Sequence, residues 1–180
     1  MARTALGVDP GTALMGYAVV RLDGSELRLL SCAALVTASD RPLASRLKIL
    51  YDGLVRIIDE YEPTELAVEE LFFNRNVRSA LSVGQARGVA LLAGANRGLA
   101  VHNYTPLQVK SAITGFGRAS KDQIQEMVRI LLHLNAAPQP DDAADAAAIA
   151  ICHLHTTSKQ DLIAQLTAPS PARRPRKVAL

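Results

Sequence analysis

Apolar residues change their spacing several times along the chain, and each change marks an element. Residues 3–9, 14–22 and 26–37 are short runs rich in Ala, Val and Leu, separated by Pro10-Gly11-Thr12 and by Leu22-Asp23-Gly24-Ser25. Runs of that length between turn residues predict three strands in a meander. From 43 to 61 the spacing becomes helical, with Leu43, Leu47, Leu50, Leu54, Ile57 and Ile58 on one side and Arg46, Lys48, Asp52 and Arg56 on the other. Pro63 stops that helix. Glu65-Leu66-Ala67-Val68-Glu69 is a short strand whose apolar middle predicts a central place in a sheet. A helix over 76–97, a strand over 99–104, a short helix over 106–113 and a helix over 121–133 follow, the last with Ser120 as its N-cap. Gly115-Phe116-Gly117 predicts a flexible loop, Pro138-Gln139-Pro140 a break, and a final helix runs from about Asp141 to His155. This order predicts an α/β fold, a mixed five-stranded sheet with helices on both faces, in one domain over 1–157. Beyond Thr157 the chain is rich in Ser, Pro, Ala and Arg, which predicts a mobile basic tail over 158–180.

With 49% apolar residues in 180, the chain has enough material for a real core. Its apolar runs are broken well short of the ~20 residues a membrane helix needs. The N-terminus enters a strand pattern at once, which predicts no signal peptide. Cys32 and Cys152 are isolated, arguing against a disulfide framework or a zinc site and for a reducing, cytoplasmic location. The formal charge of +3 hides an uneven distribution. Residues 71–129 carry eight basic side chains against two acidic ones, while acids gather in the flanking segments. Concentrated basic charge beside a few placed carboxylates suits a protein that holds a polyanion and does metal chemistry on it.

Four carboxylates stand out. Asp9 and Glu69 each end a strand, and the residue two back on the same face is small, Gly7 or Ala67. That leaves a face where a helix can approach. Asp142 and Asp145 are three apart near the start of the last helix, with Ala and Ile around them, so they point to one side. Two acids on such a close-packing side repel unless a cation sits between them. Asp141, one position off that side, reads as the helix cap. Glu70 points to the opposite face from Glu69. Asp9, Glu69, Asp142 and Asp145 are oxygen-only donors, a set suited to Mg²⁺ or Mn²⁺. Two such ions per site would serve phosphodiester cleavage. His153 and His155 fall in the last predicted turn of a helix, where positive charge is favourable, and no catalytic role is assigned to them.

Gly7-Val8-Asp9-Pro10-Gly11-Thr12, Ala67-Val68-Glu69-Glu70-Leu71-Phe72, Gly84-Gln85-Ala86-Arg87-Gly88-Val89-Ala90, Gln108-Val109-Lys110 and Asp142-Ala143-Ala144-Asp145-Ala146 together resemble the RuvC family of Holliday-junction resolvases. The matches keep family order over about residues 3–155. The resemblance implies a ribonuclease-H-like fold, a homodimer, and paired nicking of four-way DNA junctions in recombination and repair. It carries catalytic roles onto Asp9, Glu69, Asp142 and Asp145, and important basic positions onto Lys110 and Lys121. By resemblance too, the chain takes over junctions from the RuvA–RuvB branch-migration complex.

Phe72 and Phe73 are adjacent in a polar stretch directly after Glu69. An exposed Phe there can stack on a base, at about 1–3 kcal/mol per base, and the family pattern points to Phe72. Arg75, Arg78 and Arg118 are candidate DNA-backbone contacts beside Lys110 and Lys121. Gly84 and Gly88 sit one turn apart in a helix, where Gly costs about 1 kcal/mol each relative to Ala, so a close approach is expected there. Three other readings compete: a YqgF-like nuclease acting on ribosomal RNA, an actin-like ATPase or sugar kinase, and an inactive junction-binding module. The Phe-Phe stretch disfavours the first, the lack of a second Gly-rich phosphate turn the second, and the four acids the third.

Overall fold

The computed structural model describes residues 2–70 and 77–167, with backbone alone for 77–79, 161, 162 and 164–167. Phe72 and Arg75 therefore lie outside the described residues, as does 168–180. The elements are β1 (Arg3–Asp9), β2 (Leu14–Asp23), β3 (Glu26–Val36), α1 (Leu43–Tyr61), β4 (Glu65–Glu69), α2 (Val77–Asn96), β5 (Ala100–Tyr104), α3 (Pro106–Thr114), α4 (Lys121–Leu131) and α5 (Asp141–Thr167). The five strands form one sheet in the order β3-β2-β1-β4-β5. Antiparallel pairing joins β1, β2 and β3, while β4 runs parallel to both β1 and β5. The meander, the mixed sheet and the two helical layers agree with the sequence expectation.

Alternation along β1 decides which layer each residue joins. Leu6 and Val8 face α1 and α2, in a core that also takes Met15, Val19, Leu66 and Val68. Ala5 faces the other way, with Ala18, Ala67 and Tyr104, toward α3, α4 and α5. Capping follows local chemistry. The Ser120 hydroxyl accepts a hydrogen bond from the Gln123 backbone N–H, and the Gln123 side-chain oxygen accepts one from the Ser120 backbone N–H, closing a capping box on α4. Thr105 and Gln108 do the same on α3, with Pro106 at its first turn. Glu62, just before Pro63, ends α1 in the left-handed region at φ 47°.

The fold departs from the sequence reading at three places. The last helix does not end near His155 but continues to Thr167, so residues 158–167 belong to α5 rather than to a tail. Residues 159–167 are mostly strong helix formers, and the first Pro after them is Pro169. Gly88 meets nothing within 4 Å of where a Cβ would stand, so no close packing within the described residues needs it. Among the described residues α2 makes a close approach at Gly94, where a Cβ would lie 2.5 Å from Leu66 Cδ2.

The third departure is His153, which sits in mid-helix and is fully buried rather than in a last turn. Its Nε2 lies 2.7 Å from Glu65 Oε2 and its Nδ1 2.8 Å from the Tyr104 hydroxyl. An ionised carboxylate only accepts, so Nε2 carries the proton and Nδ1 accepts from Tyr104. Arg3 closes the chain at 2.6 Å from Glu65 Oε1. Burial pushes the Glu65 carboxyl up, but the hydrogen bonds from Arg3 and His153 outweigh it and hold it below the usual value. Burial drives the His153 imidazole below 6.5 despite the attraction of Glu65. A base whose native pKa lies below its unfolded value loses stability as pH falls from 6.5. We therefore expect His153→Phe to cost about 1–3 kcal/mol near neutral pH, because Glu65 Oε2 and the Tyr104 hydroxyl lose their His153 partner. That deficit should shrink between about pH 6.5 and 5.5, where only the wild type must resist protonating an imidazole. Urea midpoints of both proteins across that range test it; a deficit that widens on acidification contradicts it.

Candidate active site

β1 and β4 are adjacent and parallel, so their C-terminal ends emerge side by side, and these ends are Asp9 and Glu69. α5 crosses the same face of the sheet. It can lie that close because its first turns are almost all Ala, buried throughout from Ala143 to Ala150 apart from Asp145. Its backbone rests directly on two strand glycines. A Cβ on Gly7 would lie 2.2 Å from the Ala146 carbonyl oxygen, and one on Gly16 would lie 1.9 Å from that of Asp142. Gly16 is the registered partner of Asp9 across β1 and β2. The opening expected beside Gly7 is thus used by α5. The matching role of Gly16 was missed, although a Gly inside a strand signals such an approach.

This docking places Asp142 and Asp145 against the strand ends. The charges of Glu69, Asp145 and Asp142 all reach Asp9. Burial first, then those three charges, push the Asp9 carboxyl up to about 7, with Lys121 opposing. Glu69 is raised by burial and by Asp145, and Lys110 works against the rise. Asp145 is raised mainly by burial, against the pull of Lys121. Glu69 and Asp145 line a cavity of about 240 Å³ with Lys110 and Lys121. Among the described residues no three acidic, His or Cys side chains close into a ready ligand group. The four acids are gathered at one strand end yet stand apart, as like charges do.

Lys121 Nζ lies 3.3 Å from Asp145 Oδ2 and 3.1 Å from Asp141 Oδ2. Asp141 also accepts from the Gln125 side chain at 2.9 Å. It is the first residue of α5 rather than its cap, and its carboxylate joins α5 to α4. Pairing with Lys121 and Gln125 holds the Asp141 carboxyl below its ordinary value, whereas Asp145, on the buried side, is raised. The two neighbouring acids are therefore not interchangeable. Arg118 is exposed in the loop between α3 and α4, and Arg78 lies in the first turn of α2, where the backbone alone is described. Glu70 is exposed.

The family model described as "Crossover junction endodeoxyribonuclease RuvC" matches residues 5–153. A crossover junction endodeoxyribonuclease RuvC of Desulforamulus reducens is 56% identical over 153 residues, 85% of this chain and 94% of the relative. One from Chloroflexus aurantiacus is 57% identical over 152 residues, 84% and 93% of the two chains. Among solved structures, T. thermophilus RuvC in complex with a Holliday junction substrate superposes with a TM-score of 0.84 at 35% identity, covering 88% of this chain and 96% of that one. The yeast mitochondrial Holliday junction resolvase Ydc2 superposes with a TM-score of 0.67 at 15% identity, a likeness of fold.

Proposed function

The chain belongs to the RuvC family of crossover junction endodeoxyribonucleases, and from that premise we propose that it resolves four-way DNA junctions by hydrolysing phosphodiester bonds at Asp9, Glu69, Asp142 and Asp145. The observation that carries this reading is the convergence of those acids, from three separate elements, beside Lys110 and Lys121. Their donor set fits a hard divalent cation. All four offer oxygen, and the charges of Glu69, Asp145 and Asp142 raise the proton affinity of Asp9. Mg²⁺ or Mn²⁺, two ions in each site, would supply an activated water and stabilise the leaving oxygen.

The chain's own groups complete the site. Lys110 and Lys121 place positive charge where a phosphate gains negative charge in the transition state. Lys121 is oriented from behind by Asp141, which Gln125 holds in turn. Phe72 stacks on a base at the junction, and Arg75, Arg78 and Arg118 contact the DNA backbone. A homodimer supplies two symmetric sites for two strands of like polarity, working in the cytoplasm after the RuvA–RuvB complex. No helix among the described residues is long and apolar enough to cross a membrane.

Incubation of the protein and a divalent cation with a labelled four-way junction, beside a linear duplex of the same sequence, tests this reading. Paired nicks in the junction alone are expected; equal cutting of both substrates contradicts it. Junction affinity should also fall about 100-fold between 50 and 200 mM salt if four phosphates are neutralised, and Arg118→Ala should reduce the slope by about 1. A slope near zero rules out the basic contacts.

A further inference from the structure

Among the described residues α2 is the first element after Glu69, and it reaches both catalytic strand ends. Near its start, the Ser82 hydroxyl lies 2.6 Å from that of Thr12, in the turn that directly follows Asp9. The same turn is held from the other side. Thr37 Oγ1 donates to the Thr12 carbonyl, the Thr37 N–H donates to that of Ala13, and Arg46 Nε secures Thr37 Oγ1 at 2.9 Å. Five residues further along α2, Arg87 Nε donates to the Glu69 carbonyl oxygen at 3.2 Å, and its Nη2 donates to Asn103 Oδ1 at 2.6 Å. The next N–H, that of Glu70, donates to the Tyr104 carbonyl at 2.8 Å. The peptide joining Glu69 to Glu70 is thus held at its oxygen by Arg87 and at its nitrogen by β5.

The pairing of β1 with β4 ends at Val8 and Val68, and Pro10 beyond it brings no N–H. Past the last ladder pair, hydrogen bonds between β1 and β4 no longer fix the separation of the two acids, and α2 is an element that hydrogen-bonds to both strand ends.

We propose that Ser82 and Arg87 are positioning residues: they bind the Asp9 turn and the Glu69 strand end to one helix, so that α2 sets the distance between the two carboxylates. This rests on the assignment of Asp9 and Glu69 to the reaction. Neither Ser82 nor Arg87 needs to touch DNA or metal. A guanidinium suits the second position because its planar fork serves two acceptors at once, which a lysine cannot do.

The test compares Arg87→Ala, Arg87→Lys and Ser82→Ala with the wild type in three measurements. Single-turnover cleavage of a four-way junction should fall about 10- to 100-fold in Arg87→Ala, the range expected for misplacement on the ångström scale. The loss should be smaller in Arg87→Lys and Ser82→Ala. Junction binding in EDTA should stay within about twofold of wild type in all three. Mn²⁺ uptake by the DNA-free protein, followed by electron paramagnetic resonance, should weaken in the same order as cleavage.

Wild-type cleavage and Mn²⁺ uptake with an unchanged rate in Arg87→Ala overturn the proposal. Junction affinity lost in step with cleavage, at unchanged Mn²⁺ uptake, also overturns it and makes Arg87 a DNA contact. So does a failure of all three variants to fold, which would make the contacts purely structural. Absence of junction cleavage by the wild type is a different result and removes the functional reading instead.

Discussion

Asp9→Asn is expected to abolish junction cleavage while leaving junction binding intact or slightly tighter. Asn has nearly the same shape and keeps one carbonyl acceptor, so the β1 end and its pairing with Gly16 are undisturbed. What it loses is the charge that a cation would need. The fall in rate should exceed the 10- to 100-fold typical of losing an outer-shell partner of a metal site. Binding should not suffer, because a phosphate approaching Glu69, Asp142 and Asp145 then meets one negative charge fewer. The sign of the stability change is equally specific. Asp9 is pushed up from 3.8 to about 7 by burial and by its acidic neighbours. A carboxyl raised in the native state burdens the fold increasingly as pH climbs from 3.8 toward that value. In EDTA at neutral pH, Asp9→Asn should therefore melt higher than the wild type, by an amount on the order of a few kcal/mol at most. The gain should vanish near pH 4. Gel-shift, single-turnover cleavage and melting curves in chelator measure all three. Loss of binding or a lower melting temperature would reduce Asp9 to a turn-former.

Asp9 and Glu69 were legible because their information is local. Each ends a short apolar run, and each follows a small residue by two positions, so both the strand and the face open to a helix can be read from a few neighbours. The limits of α1 were legible for the same reason, with heptad-like apolar spacing on one side and Pro63 beyond. Asp142 and Asp145 needed only helical spacing. Harder to see was anything fixed by two distant elements at once. His153 looks like a terminal histidine as long as the helix is stopped at His155; only the continuation to Thr167 and the opposing Glu65 make it a buried bridge. Asp141 and Asp145 are alike in sequence, and their difference comes from α4, which turns one toward Gln125. Arg87 reads as one more basic residue in a basic stretch. Its acceptors, the Glu69 carbonyl and Asn103, lie 18 and 16 positions away and carry no pattern that sequence spacing could reveal.

Gly16→Ala, a single added methyl group far smaller than any catalytic side chain, is expected to lower cleavage about 100-fold. The new Cβ would start 1.9 Å from the Asp142 carbonyl oxygen and 2.4 Å from its carbonyl carbon. Both atoms are backbone, so no rotamer can relieve the contact, and the first turn of α5 must lift by about 1 Å or more. That turn carries Asp142 and, three residues on, Asp145, whereas Asp9 stays with the sheet as the strand partner of Gly16. The substitution therefore separates the acids on α5 from the acids on the strands, and a misplacement of that size costs about 10² in rate. Its stability cost should be that of overpacking, about 1–3 kcal/mol, because the start of α5 can hinge. Gly7→Ala makes a useful contrast. Its Cβ would meet Ala146 and Ala150 in the buried middle of α5, where the helix has no free end to move, so stability should fall further there for a comparable loss of rate. Gly88→Ala, with open space around the added Cβ, should leave cleavage unchanged and stabilise α2 by about 0.5–1 kcal/mol. Denaturant midpoints and single-turnover rates for the three variants separate these effects. Wild-type cleavage by Gly16→Ala would mean that α5 does not rest on β2 at that point, and that the acids converge by some other support.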